Sequence, residues 1–136
     1  VILYTREDVA KRVREITGEG VAVVYDGVGK DTFMGSLDSL RPRGMLVTFG
    51  NASGAVPPFD PLLLAQKGSL FITRPILAHY TTLRSELVAL GSELFDVVVS
   101  GQVKIEINQT YALADAAQAH RDLEARKTTG STILVP

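Results

Sequence analysis

Apolar and polar positions along the first fifty residues alternate between two rhythms. VILY (1–4) is a short apolar run and predicts a strand. In the following stretch TREDVAKRVREITGEG, Val9, Val13 and Ile16 fall at i, i+4 and i+7, the spacing of one helical face; Thr5 is placed to cap that helix, and Gly18 and Gly20 to end it. VAVVY (21–25) is a continuous β-branched run of the kind buried on both faces of a parallel sheet, and it closes on Asp26, Gly27, Val28 and Gly29. Phe33, Leu37 and Leu40 make a second helical stripe, stopped by Pro42 and Gly44 before a strand MLVTF (45–49). Strand, helix, strand, helix, strand at this pitch is the pattern of βαβ units around a parallel sheet with right-handed crossovers.

The rhythm continues past the loop that follows Phe49. Asp60 caps and Pro61 opens a short helix LLLAQ, because proline at a first helical position loses no hydrogen bond. GSLFITRP (68–75) predicts a short strand ended by Pro75. A long helix is expected from about Thr81 to Val99, with Leu83, Leu87, Leu90 and Leu94 on one face and Gly101 closing it. From Gln102 the character changes. VKIEI (103–107) alternates strictly, as a strand with one solvated face does; residues 113–126 form an amphipathic helix with Ala116, Ala119 and Leu123 inward; STILVP (131–136) is a last strand. This tail is expected to join a different sheet, which divides the chain into 1–101 and 102–136.

Composition narrows the chemistry. The 14 Lys and Arg nearly balance the 15 Asp and Glu, and no block of like charge offers the footprint that a phosphate backbone or anionic lipid requires. Nucleic acid and membrane are therefore not expected as partners, no apolar run approaches the length of a membrane span, and a cytoplasmic location is the expectation. Without cysteine the chain has no disulfide and no thiolate metal site, and His79 and His120 stand apart without ligand spacing, so no metal is expected. No carboxylate pair or Ser/His/Asp set stands out, and no side chain is assigned a catalytic acid or base role.

The informative stretches lie at strand ends. In open α/β sheets ligands bind outside the carboxyl ends of the strands, where DGVG (26–29) and FGNASG (49–54) present backbone amides with little side-chain obstruction. Asn51 can offer both a donor and an acceptor to a carboxamide. The glycines could equally serve tight turns alone, and spacing leaves both readings open. The pattern fits the second half of a dinucleotide-binding sheet. A GxGxxG turn, which grips the pyrophosphate, is not in this sequence and is expected upstream of Val1, where the chain starts inside an apolar run without Met.

VVYDGVGKDTF, LRPRGMLVTFGNASGAV, QKGSLFITRP and AHRDLEARKTTGSTILVP, in this order, together resemble the carboxyl-terminal part of quinone oxidoreductases, the zinc-free branch of the medium-chain dehydrogenase/reductase superfamily. The resemblance implies the second half of a Rossmann-type parallel sheet with helices on both faces, binding NADPH within 1–101, and a segment 102–136 that returns to a GroES-like catalytic domain. It places Tyr4 beside the adenosine and its 2′-phosphate, and Gly27 and Val28 near the adenine ribose. Where Gly27 stands, related sequences often have serine, so a side-chain hydrogen bond is absent here. Phe49, Gly50 and Asn51 would line the nicotinamide, with Phe71, Ile72 and Thr73 flanking it from the next strand, although Phe71 and Ile72 could be core. Arg126 would approach the cofactor from the returning segment; its rival role is a cation at a helix C-terminus. GSLFITRP (68–75) would pair with a second copy across a two-fold axis. The implied activity is hydride transfer from NADPH to a quinone by the intact chain, with the fragment alone inactive. The alternatives are an enoyl or other alkene reductase of the same superfamily, or a crystallin-like protein that binds NADPH without turnover.

Overall fold

The computed structural model describes residues 1–136, which divide into two compact units, Val1–Tyr80 and Thr81–Pro136. The first helix, α1 (Val9–Thr17), is capped by Asp8, whose carboxylate accepts from the Lys11 N–H at 3.0 Å, so the cap is Asp8 rather than Thr5. Residues 1–4 are not a strand. The Leu3 carbonyl accepts from the Arg6 and Glu7 N–H groups, and the Leu3 N–H donates to the Glu7 carboxylate at 3.0 Å. A local turn thus occupies the backbone groups that a neighbouring strand would need.

β1 (Val21–Asp26), β2 (Leu40–Thr48) and β3 (Phe71–Thr73) form a parallel sheet in chain order, with β1 and β3 at its edges. On one face, Leu40 and Leu46 of β2 meet Phe33 and Leu37 of α2 (Phe33–Asp38), together with Leu70; Leu63 and Leu64 of α3 (Leu62–Gln66) complete this core. The other face carries Val23, Met45 and Phe71, aligned by register across the three strands and exposed. The β-branched run of β1 is therefore covered on one side of this unit, where Val21 and Val24 pack inward.

β2 begins earlier than its sequence suggests. Val21 pairs with Leu40 but Val23 pairs with Met45, so Arg41 to Gly44 bulge out of the ladder, with Arg43 in the left-handed region at φ 61°. Pro42 and Gly44 sit within this bulge instead of stopping a helix before the strand, because a bulge frees backbone groups from the ladder that proline cannot serve. The Arg43 N–H donates instead to the Gly68 carbonyl at 2.8 Å. Asp60 caps α3 as expected, accepting from the Leu62 N–H at 2.8 Å, and Lys67 at its far end pairs with Asp38 at the end of α2.

α4 (Leu77–Tyr80) closes the first unit. In the second, α5 (Arg84–Val99) starts where the Leu83 N–H meets the Glu86 carboxylate at 3.0 Å. β4 (Ile107–Ala112), a 3₁₀ turn at Leu113–Asp115, α6 (Ala116–Glu124) and β5 (Ser131–Val135) follow. β4 and β5 are parallel and form a sheet of their own, as the change of pattern after Gly101 predicts. The strand lies at 107–112, not 103–107. Its partner β5 begins at Ser131, opposite Ile107, while the Val103 N–H is taken by the Val97 carbonyl at the end of α5. On α6, Ala119 is buried but Leu123 is exposed, against expectation. No helix is long and apolar enough to cross a membrane.

Leu46, with 0% of its surface exposed, sits at the centre of the first unit's core. Leu46→Ala should destabilise the full-length protein by about 2–5 kcal/mol, measured by urea unfolding, because the cavity it leaves is walled by strand and helix that relax only partly.

Candidate functional site

The carboxyl end of the sheet is organised by a carboxylate. Asp26, the last residue of β1, is 5% exposed. Its Oδ1 accepts from the N–H groups of Val28 (2.8 Å) and Gly29 (3.0 Å) and from the Thr32 hydroxyl (2.9 Å); its Oδ2 accepts from the Thr32 and Ser36 hydroxyls at 2.8 and 2.7 Å. Burial pushes the carboxyl pKa up, but these donors outweigh it and hold the group below its ordinary value. The loop after β1 is thereby bent tightly and joined to the start of α2.

That loop carries the next one. The N–H groups of Phe49, Ala52 and Ser53 donate to the carbonyls of Asp26, Gly27 and Val28 at 2.9, 3.4 and 2.8 Å, and the Lys30 N–H donates to Gly54 at 3.1 Å. The Ser53 hydroxyl donates to the Val28 carbonyl at 2.9 Å and accepts from the Asp31 N–H at 3.0 Å. The approach is so close that a Cβ on Gly50 would lie 2.7 Å from the Gly27 carbonyl carbon, and one on Gly27 would lie 3.1 Å from the Phe49 ring. From β3, Arg74 reaches over, its guanidinium donating to the Thr48 hydroxyl (3.1 Å) and the Gly50 carbonyl (3.2 Å).

Two depressions flank this loop pair. A cleft of 650 Å³ is lined by Asn51, Thr48, Ile72, Thr73 and Arg74, with Phe33, Phe59 and the 55–58 segment as its apolar wall; the two phenyl rings lie 5.0 Å apart. A groove of 570 Å³ beside β1 is lined by Tyr4, Gly27, Val28 and apolar residues of α1 and β1, with Glu7, Asp26 and Asp31 as its acidic groups. Glu7 lies 3.9 Å from Arg12.

The residues singled out in the sequence fall into three groups. Tyr4, Gly27 and Val28 share the groove, and Asn51, Ile72 and Thr73 share the cleft, with Gly50 and Phe49 at the seam between the two loops. Phe71 is not among the cleft residues; it is 57% exposed on the opposite face of the sheet, since neighbours along a strand point to opposite sides. Ile72 both lines the cleft and packs on the core, so its two readings hold together. Arg126 belongs to the second unit, at the end of α6, where φ is 56° and its N–H donates to the Leu123 carbonyl at 3.0 Å. The residues that sequence reading passed over are Asp26, Ser53 and Arg74. A signal existed for Asp26, an acid closing an otherwise apolar strand; for Ser53 and Arg74 only the tertiary contacts reveal a role.

No three or more His, Cys, Asp or Glu side chains converge to hold a metal ion. The family described as zinc-binding dehydrogenase matches residues 1–134. The chain is 54% identical over 134 residues to a quinone oxidoreductase of Pseudomonas aeruginosa, and 48% identical over 137 residues to a 2-haloacrylate reductase of a Burkholderia species; the matches take in 98% and 99% of this chain and 41% of each relative. It is similar to the crystal structure of an Escherichia coli quinone oxidoreductase complexed with NADPH, with a TM-score of 0.93 at 50% identity, covering 100% of this chain and 43% of that one. The chain thus spans about two fifths of the length of the curated relatives it matches.

Gly50→Ala should cost about 1–3 kcal/mol of stability, read by urea unfolding, because the new methyl has only backbone to displace. Gly35→Ala, inside α2 with no atom within 4 Å, is the control and should be neutral or stabilising. Acid should act through Asp26. With its folded pKa held below the ordinary 3.8, the stability it contributes is present above that value and is lost as pH falls through the folded pKa. A series of urea midpoints should therefore fall more steeply below pH 3.8 in the wild type than in Asp26→Asn.

Proposed function

The chain belongs to the zinc-binding dehydrogenase family, and from that premise we propose that the intact protein is an NADPH-dependent quinone oxidoreductase, to which these residues contribute part of the cofactor-binding half. The observation that carries this reading is the paired glycine loop at the carboxyl end of a parallel sheet, in a stretch 54% identical to a quinone oxidoreductase. NADPH as cofactor is supported by the likeness to a structure complexed with it. The fit of the group to the residues rests on the Gly27–Gly50 approach, where a Cβ on Gly50 has no room and the Phe49 ring lies beside Gly27.

When bound, NADPH supplies the hydride that reduces the acceptor. In this reading Tyr4, Gly27 and Val28 hold the adenosine end along the groove. Gly50 and Phe49 form the floor at the seam, and the Asn51 amide gives a donor and an acceptor to the nicotinamide carboxamide, with Ile72 and Thr73 beside it. Phe71, on the opposite face of β3, falls outside this set; Arg126, in the segment 102–136, is the basic residue that the family resemblance assigns to the cofactor. The family's description includes zinc, but the donor set of this stretch does not fit it: it has no cysteine and no converging group of three or more His, Asp or Glu side chains. β3 is an edge strand with Phe71 exposed, which supports dimerisation through GSLFITRP (68–75); a monomeric parent protein in sedimentation would remove that part. A cytoplasmic location belongs to the same reading.

A second reading has its own support. The 48% identity to a 2-haloacrylate reductase favours an activated alkene as acceptor, with the same cofactor half. The experiment is oxidation of NADPH, with NADH alongside, by the full-length parent chain given a simple quinone or a 2-haloacrylate. The NADH arm matters because Glu7 and Asp31 line the groove, and carboxylates there suit ribose hydroxyls better than a 2′-phosphate. Quinone-dependent loss of NADPH is the expected outcome. Faster turnover with the haloacrylate would establish the second reading, and tight NADPH binding without turnover on either would make the protein a non-catalytic binder.

A further inference from the structure

Asn51 stands on a loop with no secondary structure of its own, yet in the proposed reaction its amide must be held to a fraction of an ångström. What holds it is visible two layers away. The Asp26 carboxylate fixes the Val28 and Gly29 amides and, through Thr32 and Ser36, ties them to α2. The Val28 carbonyl, so fixed, receives both the N–H and the hydroxyl of Ser53, and that same hydroxyl accepts from the Asp31 N–H. Two residues back from Ser53 is Asn51, whose own carbonyl accepts from the Gly54 N–H at 2.9 Å. Ser53 lines neither the cleft nor the groove. Whatever it does for a bound molecule it does through its neighbours.

We propose that Ser53 is a positioning residue for the nicotinamide end of the cofactor, passing the order of the 27–31 loop, which Asp26 fixes, across to Asn51. The inference rests on the NADPH reading above and adds which residues enforce its geometry. The Ser53 hydroxyl is the suitable link because it is a donor and an acceptor at once. It bonds two groups of the first loop, a carbonyl and an amide three residues apart, and so resists both sliding and rotation of the second. Ala in its place keeps the Ser53 backbone bond to Val28 and removes only the two side-chain bonds, so the fold is retained while the loop loosens. Small displacements of a reacting group are costly in rate even when binding survives.

The test uses the full-length parent protein with NADPH and a simple quinone. Ser53→Ala should slow single-turnover oxidation of bound NADPH by about tenfold, the size of effect that losing such bonds allows. Its affinity for 2′,5′-ADP, which lacks the nicotinamide, should stay within about twofold, as expected if the adenosine end is untouched. Ser53→Thr keeps the hydroxyl and should recover most of the rate. In an Asn51→Ala background the further change Ser53→Ala should cost less than about twofold, since the two act as one unit. Equal losses for NADPH and 2′,5′-ADP would mean a general loosening and overturn the proposal, as would an unchanged rate or a full tenfold cost in the Asn51→Ala background. A wild-type protein that does not bind NADPH overturns both this inference and the functional reading, and it does so before any variant is compared.

Discussion

Four donors converge on one buried carboxylate, and the site end of the sheet takes its shape from them. A charged group at 5% exposure would be costly without partners. Asp26 meets that cost with two backbone amides and two hydroxyls drawn from the ten residues that follow it. Because all four come from the same loop and the first turns of α2, satisfying the charge and folding the loop are the same event. The second loop then has a rigid ledge of carbonyls, from Asp26 to Val28, on which to lie. Remove the carboxylate and the ledge has no reason to hold its curvature.

The glycines follow from this arrangement instead of merely accompanying it. Gly50 is required because the backbone of Gly27 occupies the place where its Cβ would be, and Gly29 adopts φ 90° with the Gly54 carbonyl at the spot its Cβ would fill. Tight-turn duty and the close approach of two backbones are here one geometry. Packing two turns against each other leaves no room for a Cβ where Gly27 meets Gly50.

Much of the fold is legible in the chain because it depends on neighbours in sequence. The βαβ order, the Asp60 cap and the separate sheet of the tail follow from periodicity and capping chemistry. What periodicity misses depends on partners. Residues 1–4 have the composition of a strand but spend their backbone bonds locally, on Arg6 and Glu7. Pro42 and Gly44 look like terminators and are bulge residues, because Leu40 already pairs with Val21. VKIEI alternates perfectly, yet the ladder starts at Ile107, where β5 begins. In the candidate site, Gly27, Gly50 and Asn51 are readable from strand ends and loop composition. Ser53 and Arg74 are not, since nothing in a sequence marks a hydroxyl that bridges two loops or a guanidinium that crosses from a neighbouring strand.

The two loops are joined mainly through backbone atoms: amide to carbonyl at residues 49, 52, 53 and 30. Side chains at Ala52 and Ala55 take no part in that joining, and the second of them lines the cleft. Within that wall Ala55, Pro57 and Pro58 can therefore change while the ledge beneath stays as it is, whereas Val56 packs on the core and Phe59 lies against Phe33. Such a separation lets the mouth of the cleft change shape by drift in a short segment while the loop pair that carries it is inherited intact.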